Sequence, residues 1–109
     1  MNMLEIPENR IQTIQNNEEL SLGDKTLKFM IAQGVHWPDT MFTYLKEEGF
    51  LFTCDFLGAH YVVDDIYAKP SAEIERATKK YYAEIMMPFR VLCKKYLNTV
   101  KELNPKMIL

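Results

Sequence analysis

The sequence is poor in the features that mark most specialised functions. It holds two cysteines, Cys54 and Cys93, far apart and outside any C-x-x-C unit. Two thiols exclude a multi-bridge scaffold and a four-thiolate zinc site, so both are read as reduced, buried, small apolar residues. Basic charge is also missing: thirteen Lys and Arg face fifteen Asp and Glu, for a net charge of −2. Such a balance builds no field for a nucleic-acid backbone or an anionic membrane. No apolar run approaches the ~18 residues that span a bilayer. The first ten residues, MNMLEIPENR, have neither a basic start nor an apolar stretch, so no signal peptide is read there. No internal repeat and no low-complexity segment occurs. The expectation is a soluble, cytoplasmic protein with neither nucleic acid nor membrane as partner.

What is present suits one small folded unit. The chain has 109 residues, 48% apolar and 26% charged, which are globular averages for a single domain over 1–109. Its two halves have different patterns. In the first, short apolar segments over about 10–56 predict strands at Arg10–Gln15, Glu19–Leu22, Thr26–Ile31, Met41–Leu45 and Phe50–Cys54. Leu22-Gly23-Asp24-Lys25 predicts a tight hairpin, with Gly23 and Asp24 at positive φ, and Lys46-Glu47-Glu48-Gly49 predicts a second turn. Links this short imply antiparallel pairing. Three large apolar residues in succession, Phe50-Leu51-Phe52, predict a strand buried on both faces.

The second half predicts helix over about 71–104. Ser71 is placed to cap, Glu73 and Glu75 suit the positive end of the dipole, and Ile74, Ala77, Tyr81 and Ile85 form one apolar stripe. Pro88 must kink or break this run. A further helix runs through Phe89, Leu92, Cys93, Tyr96, Val100 and Leu103, until Asn104-Pro105 ends it. Met107-Ile108-Leu109 opens another strand. Lys79-Lys80 and Lys94-Lys95 read as solvated helix faces, and the seven methionines as core filler.

Chemistry is expected in the loops after the strands. The chain's two histidines both lie there: His36 comes after the strand ending near Ile31, and His60 lies five residues past Asp55, itself at the end of the Phe50–Cys54 strand. Imidazole and carboxylate at neighbouring strand ends suit a metal site. A His beside Trp and Pro equally suits a packed loop, and an Asp at a strand end equally suits a turn or cap.

Around these residues the sequence resembles a known family. The runs His36-Trp37-Pro38-Asp39-Thr40-Met41-Phe42-Thr43-Tyr44-Leu45 and Leu51-Phe52-Thr53-Cys54-Asp55-Phe56-Leu57-Gly58-Ala59-His60 are similar to two adjacent motifs of the flavodiiron proteins, or A-type flavoproteins. Tyr81-Tyr82-Ala83-Glu84-Ile85-Met86-Met87-Pro88-Phe89 resembles the helical stretch that comes next in that family. The resemblance runs from about Arg10 to the end of the chain. It implies an α+β fold that is part of a metallo-β-lactamase-like αββα sandwich, an antiparallel-rich sheet with a Pro-kinked helical region after it. In that family a di-iron centre reduces dioxygen or nitric oxide, with electrons from flavin mononucleotide (FMN) on a separate flavodoxin-like domain.

By resemblance, His36 would bind one iron and Asp55 would bridge both, a role suited to a carboxylate because its two oxygens span two cations. His60 would stand beside the centre rather than ligate it. Trp37 and Pro38 would shape and shield the loop. The family's His-x-Glu-x-Asp motif is absent from these 109 residues, its last histidine would fall beyond Leu109, and the flavin domain is absent. Two of roughly six ligands are therefore expected here, with no independent catalysis. Three readings remain open: a fragment or truncated relative, a subunit of a split enzyme completed by a flavodoxin-like or other chain, or a stand-alone oligomeric interaction module. Half a sandwich leaves apolar faces and open edges, so a homo-oligomer is expected, pairing sheet edges.

Overall fold

The computed structural model describes residues 6–109. Five strands form one sheet in the order in which they occur in the chain. They are β1 (Glu19–Ser21), β2 (Thr26–Ile31), β3 (Met41–Leu45), β4 (Phe50–Phe52) and β5 (Met107–Ile108). The first four pair antiparallel and β5 lies parallel to β4. Both short links turn as expected. Leu22 N–H donates to the Lys25 carbonyl at 2.8 Å, and Gly49 N–H donates to the Leu45 carbonyl at 2.9 Å. Gly23 and Gly49 take φ of 98° and 71°, where a side chain would be strained. Asp24, expected to share that conformation, is not among the positive-φ residues. Ion pairs Lys25–Glu48 and Lys46–Glu19 staple the turns at the edges.

Successive side chains of a strand point to opposite faces, so the pairing register sorts the sheet into two surfaces. Met30 opposite Phe42, and Lys28 opposite Tyr44 opposite Leu51, share one face. The helices cover that face. Met30, Phe42 and Leu51 form one buried cluster with Phe56, Tyr81, Met86, Cys93, Tyr96 and Val100, and Phe42 meets the Tyr96 ring edge-on at 5.9 Å. The other face carries Leu20, Leu27, Leu45, Phe50 and Met107 in one row, then Phe29, Thr43 and Phe52, then Ile31 and Met41. No side chain of this face except Thr43 is polar, yet none is fully buried.

The helical half begins where the sequence places it. In α1 (Ala72–Tyr81) the Ser71 hydroxyl accepts from Ile74 N–H at 3.2 Å, and Lys79 pairs with Glu75 at 2.6 Å. Pro88 has no N–H to give to the preceding turn. The chain adapts around it, through a π turn over Tyr82–Met86 and a 3-10 turn over Met87–Phe89 that contains it, then resumes as α2 (Arg90–Leu103). Asn104, left-handed at φ 47°, closes α2. The architecture is a partial metallo-β-lactamase-like fold, a mixed sheet with its helices on one face.

Other expectations fail. Arg10–Gln15 forms no strand: a 3-10 turn covers Glu8–Arg10 and the rest is irregular and exposed except for Ile14. Its apolar positions do not alternate, so it has no buried face to specify a register. β4 is not buried on both faces, because Leu51 is covered while Phe52 is 43% exposed. Burying Phe52 needs a second layer that residues 6–109 do not supply. Cys54 is exposed, since the chain leaves the sheet before it, and only Cys93 is buried. Met30 and Met86 fill the core as expected, but Met87 is half exposed. Among the described residues no helix is long and apolar enough to cross a membrane.

Candidate functional site

His36 and Asp55 come together. β2 and β3 are neighbours, and the loop joining them, 32–40, is held to itself by short backbone bonds. Ala32 N–H donates to the Thr40 carbonyl at 2.9 Å and Gly34 N–H to the Trp37 carbonyl at 2.8 Å. Thr40 closes the loop: its hydroxyl accepts from Trp37 N–H at 3.2 Å and donates to the Trp37 carbonyl at 3.1 Å. Gly34 is required here. Its φ is 82°, and a Cβ would stand 2.6 Å from a Leu92 methyl of α2. Val35, fully buried, anchors the loop beside His36.

Asp55 sits on the turn after β4. Cys54 at φ 55° and Leu57 at φ 68° bend the chain sharply on either side of it. Left-handed non-glycine residues are uncommon and cluster at functional turns. Phe56 N–H donates to the Thr53 carbonyl at 3.1 Å, and Phe56 is buried, stacked on Phe42 at 5.4 Å. The Tyr81 hydroxyl, at the end of α1, donates to the Asp55 backbone carbonyl at 2.9 Å. Burial foremost, then the Asp55 and Cys54 charges, push the Tyr81 hydroxyl above its ordinary pKa near 10.

These supports set His36 Nε2 3.3 Å from Asp55 Oδ2. The His36 side chain is largely covered and leans on the Trp37 ring at 5.3 Å, while Asp55 is about half exposed. Trp37 is itself 57% exposed and covers only one side. The expected pair of loops therefore meets, with its open side towards solvent along Trp37, Asp39, Cys54 and Asp55. His60 behaves differently. It stacks edge-on against Tyr81, ring centroids 4.9 Å apart, so it touches the residue that tethers Asp55.

A metal-ligand test can be made on the donors themselves. Two donors each ~2.1 Å from one cation, in tetrahedral or octahedral array, stand roughly 3.0–3.4 Å apart. The His36–Asp55 separation fits that spacing, and one imidazole with one carboxylate suits a first-row metal. The same pair is equally a close His–Asp side-chain contact in the absence of metal. Among the described residues no group of three or more His, Cys, Asp or Glu converges on a common point. The donors fit part of one metal's shell and not a pair of metals.

Two supports escape a reading of the sequence. Tyr81 is legible only as a stripe residue needing a hydroxyl partner, and nothing local shows that its partner is the Asp55 backbone. Thr40 lies within the Pro-Asp-Thr run, whose turn chemistry gives it away once the loop is known to close on itself.

Comparison with known proteins identifies the family. The family model described as ODP family beta lactamase matches residues 1–109. The flavo-diiron protein FprA2 of Clostridium acetobutylicum is 38% identical over 98 residues, covering 86% of this chain and 24% of that protein. A nitric oxide reductase of Moorella thermoacetica is 36% identical over 94 residues, covering 84% and 23%. Among solved structures, rubredoxin oxygen:oxidoreductase from Desulfovibrio gigas aligns with a TM-score of 0.83 at 30% identity, over 89% of this chain and 25% of that one. The chain thus spans about a quarter of the length of the relatives it matches.

Proposed function

The chain belongs to the ODP family of beta lactamases and corresponds to part of the lactamase-like domain of flavodiiron proteins; from that premise we propose that it contributes two ligands, His36 and Asp55, to a metal centre completed by residues outside 1–109. The meeting of His36 Nε2 and Asp55 Oδ2 at 3.3 Å, from loops far apart in sequence, carries this reading. His36 would give a neutral ring nitrogen. Asp55 would give a carboxylate that offsets cation charge and has a second oxygen free to reach a second cation. Completed by ligands from outside 1–109, an iron pair there would supply redox chemistry towards a small diatomic oxidant. The names of the Desulfovibrio and Moorella relatives point to dioxygen or nitric oxide. Electrons would arrive from FMN on a flavodoxin-like domain or chain.

This chain's own residues do the positioning. Thr40 and Gly34 hold the His36 loop, Tyr81 and Phe56 hold the Asp55 turn, and Trp37 shields one flank from water. Alone, the 109 residues bind metal weakly and do not catalyse.

Association is a second part of the proposal, supported by the bare sheet face. Large apolar residues around Phe29, Phe50 and Phe52 lie on one part-exposed surface, and contiguous surfaces of this kind mark interaction sites. Another layer covers it in the working protein, from the remainder of the domain or from a second polypeptide. A homo-oligomer of the 109-residue chain is the form expected in isolation.

Cobalt titration of the chain, monitored by its visible absorption, tests the metal reading. Weak binding of one cation is expected, lost in both His36→Ala and Asp55→Ala. Undiminished binding in those variants, or tight uptake of two cations by the unaltered chain, overturns it.

A further inference from the structure

A second concavity lies on the helical side of the molecule and shares no lining residue with the hollow beside His36 and Asp55. It holds about 330 Å3, between the end of α1, the π turn, the first two turns of α2 and the turn after β4. That is the lower end of the ~300–1,000 Å3 of small-molecule sites. Its floor is apolar: Phe56, Tyr81, Met86 and Cys93 are all buried, and Tyr81 spends its hydroxyl on the Asp55 carbonyl. Cys93 turns its thiol to the Met86 carbonyl at 3.6 Å, and burial pushes that thiol above its ordinary pKa, so it stays neutral.

The rim is of another kind. Arg90 and Lys94, one turn apart on α2, both line the opening. The charges of α1 and the π turn are paired: Lys79 with Glu75, Arg76 with Glu73, and Lys80 with Glu84. Among the described residues Arg90 and Lys94 make no ion pair. Arg90 opens α2, where a helix dipole disfavours cations, and Lys94 stands one turn on. Two like charges at that spacing also repel one another. An anion at the rim relieves both costs.

We propose that this groove binds a small apolar carboxylate, with its hydrocarbon or aryl body over Met86 and Cys93 and its carboxylate between Arg90 and Lys94. The charge pattern selects the occupant. A neutral hydrocarbon leaves the two cations unpaired, and a cation meets them with like sign. An extended polar chain has no partner on the apolar floor. Arg90 in particular offers a planar fork matched to a carboxylate.

Calorimetric titration of the full 109-residue chain tests the proposal, with octanoate and 3-phenylpropionate as the acyl and aryl probes. 1-Octanol serves as the neutral isostere and octyltrimethylammonium as the cation. Saturable binding of at least one carboxylate is expected, roughly fivefold or more tighter than the alcohol. Octyltrimethylammonium should be weakest. In the double variant Arg90→Gln, Lys94→Gln, the advantage of octanoate over octanol should vanish while octanol affinity is unchanged. Alkylation of Cys93 should slow in the presence of the bound carboxylate. Equal affinity for octanoate and octanol overturns the proposal, as does an octanoate affinity unmoved by the double variant. Protection of Cys93 that rises with protein concentration in the absence of probe also overturns it, by assigning the groove to a second copy of the chain.

Discussion

The two faces of the sheet are built from the same strands, yet the large apolar residues they carry end in different states. Met30, Phe42 and Leu51 are sealed under α1 and α2, whereas Phe52, Ile31 and Leu20, on the alternate positions, are 43%, 38% and 39% exposed. Nothing in hydrophobicity separates the two sets. The helical half of the chain makes the difference: one amphipathic helical pair covers one face, and the described residues leave the other part-exposed. Apolar content alone therefore does not report which face the helices cover.

The largest test of this contrast is Phe42→Ala. Phe42 is 1% exposed, stacked on Phe56 and edge-on to Tyr96. Removing it should cost about 3–5 kcal/mol in urea unfolding. A loss below about 1 kcal/mol would mean that the covered face is not the core.

Tyr81→Phe comes next. It deletes the hydroxyl that ties the Asp55 turn to α1, at an expected cost of about 1 kcal/mol. The same residue gives a pH signature. Its pKa is raised in the folded chain, so the folded state holds the proton longer than the unfolded state. That contribution is complete below about pH 10 and is lost as pH rises from there through the folded value. Urea midpoints should fall in that window for the unaltered chain and fall less for Tyr81→Phe. Parallel curves would remove Tyr81 from the explanation.

Phe52→Ser on the open face should have the smallest effect on stability, within about 0.5 kcal/mol. Its effect should appear in light scattering instead, as a lower mass at a given concentration. A stability loss comparable to that of Phe42→Ala would show that the face is covered within the chain itself.

Legibility depends on the range of the interactions. Ser71, Gly23, Gly49, Asn104 and the apolar stripe of α1 act within a few residues, and each does what its sequence position implies. Pro88 is legible as a disruption. Its form is not, because the choice between breaking the helix and absorbing the defect as a π turn and a 3-10 turn rests on how Met86 and Cys93 pack. Arg10–Gln15 misleads because its β-prone residues have no partner strand. Phe50-Leu51-Phe52 misleads for the converse reason, since a run that expects two covered faces finds one.

At the site, residue types and loop positions name His36 and Asp55, but their 3.3 Å separation belongs to the pairing of β2, β3 and β4. His60, expected beside the centre rather than in it, meets the Tyr81 ring. Tyr81 itself is legible only as a stripe residue, and nothing local marks its tie to the Asp55 turn.

By itself the sequence determined the sheet-then-helix order, the hairpin turns, the helix boundaries and the family, because those depend on backbone preferences, short-range capping and motif identity. The tertiary structure alone decided which apolar face is sealed, where Cys54 and Phe52 lie, and that His36 and Asp55 touch. It also gathered Arg90 and Lys94 over an apolar groove. Each of those outcomes joins residues distant in the chain, and only packing sets the distance between them.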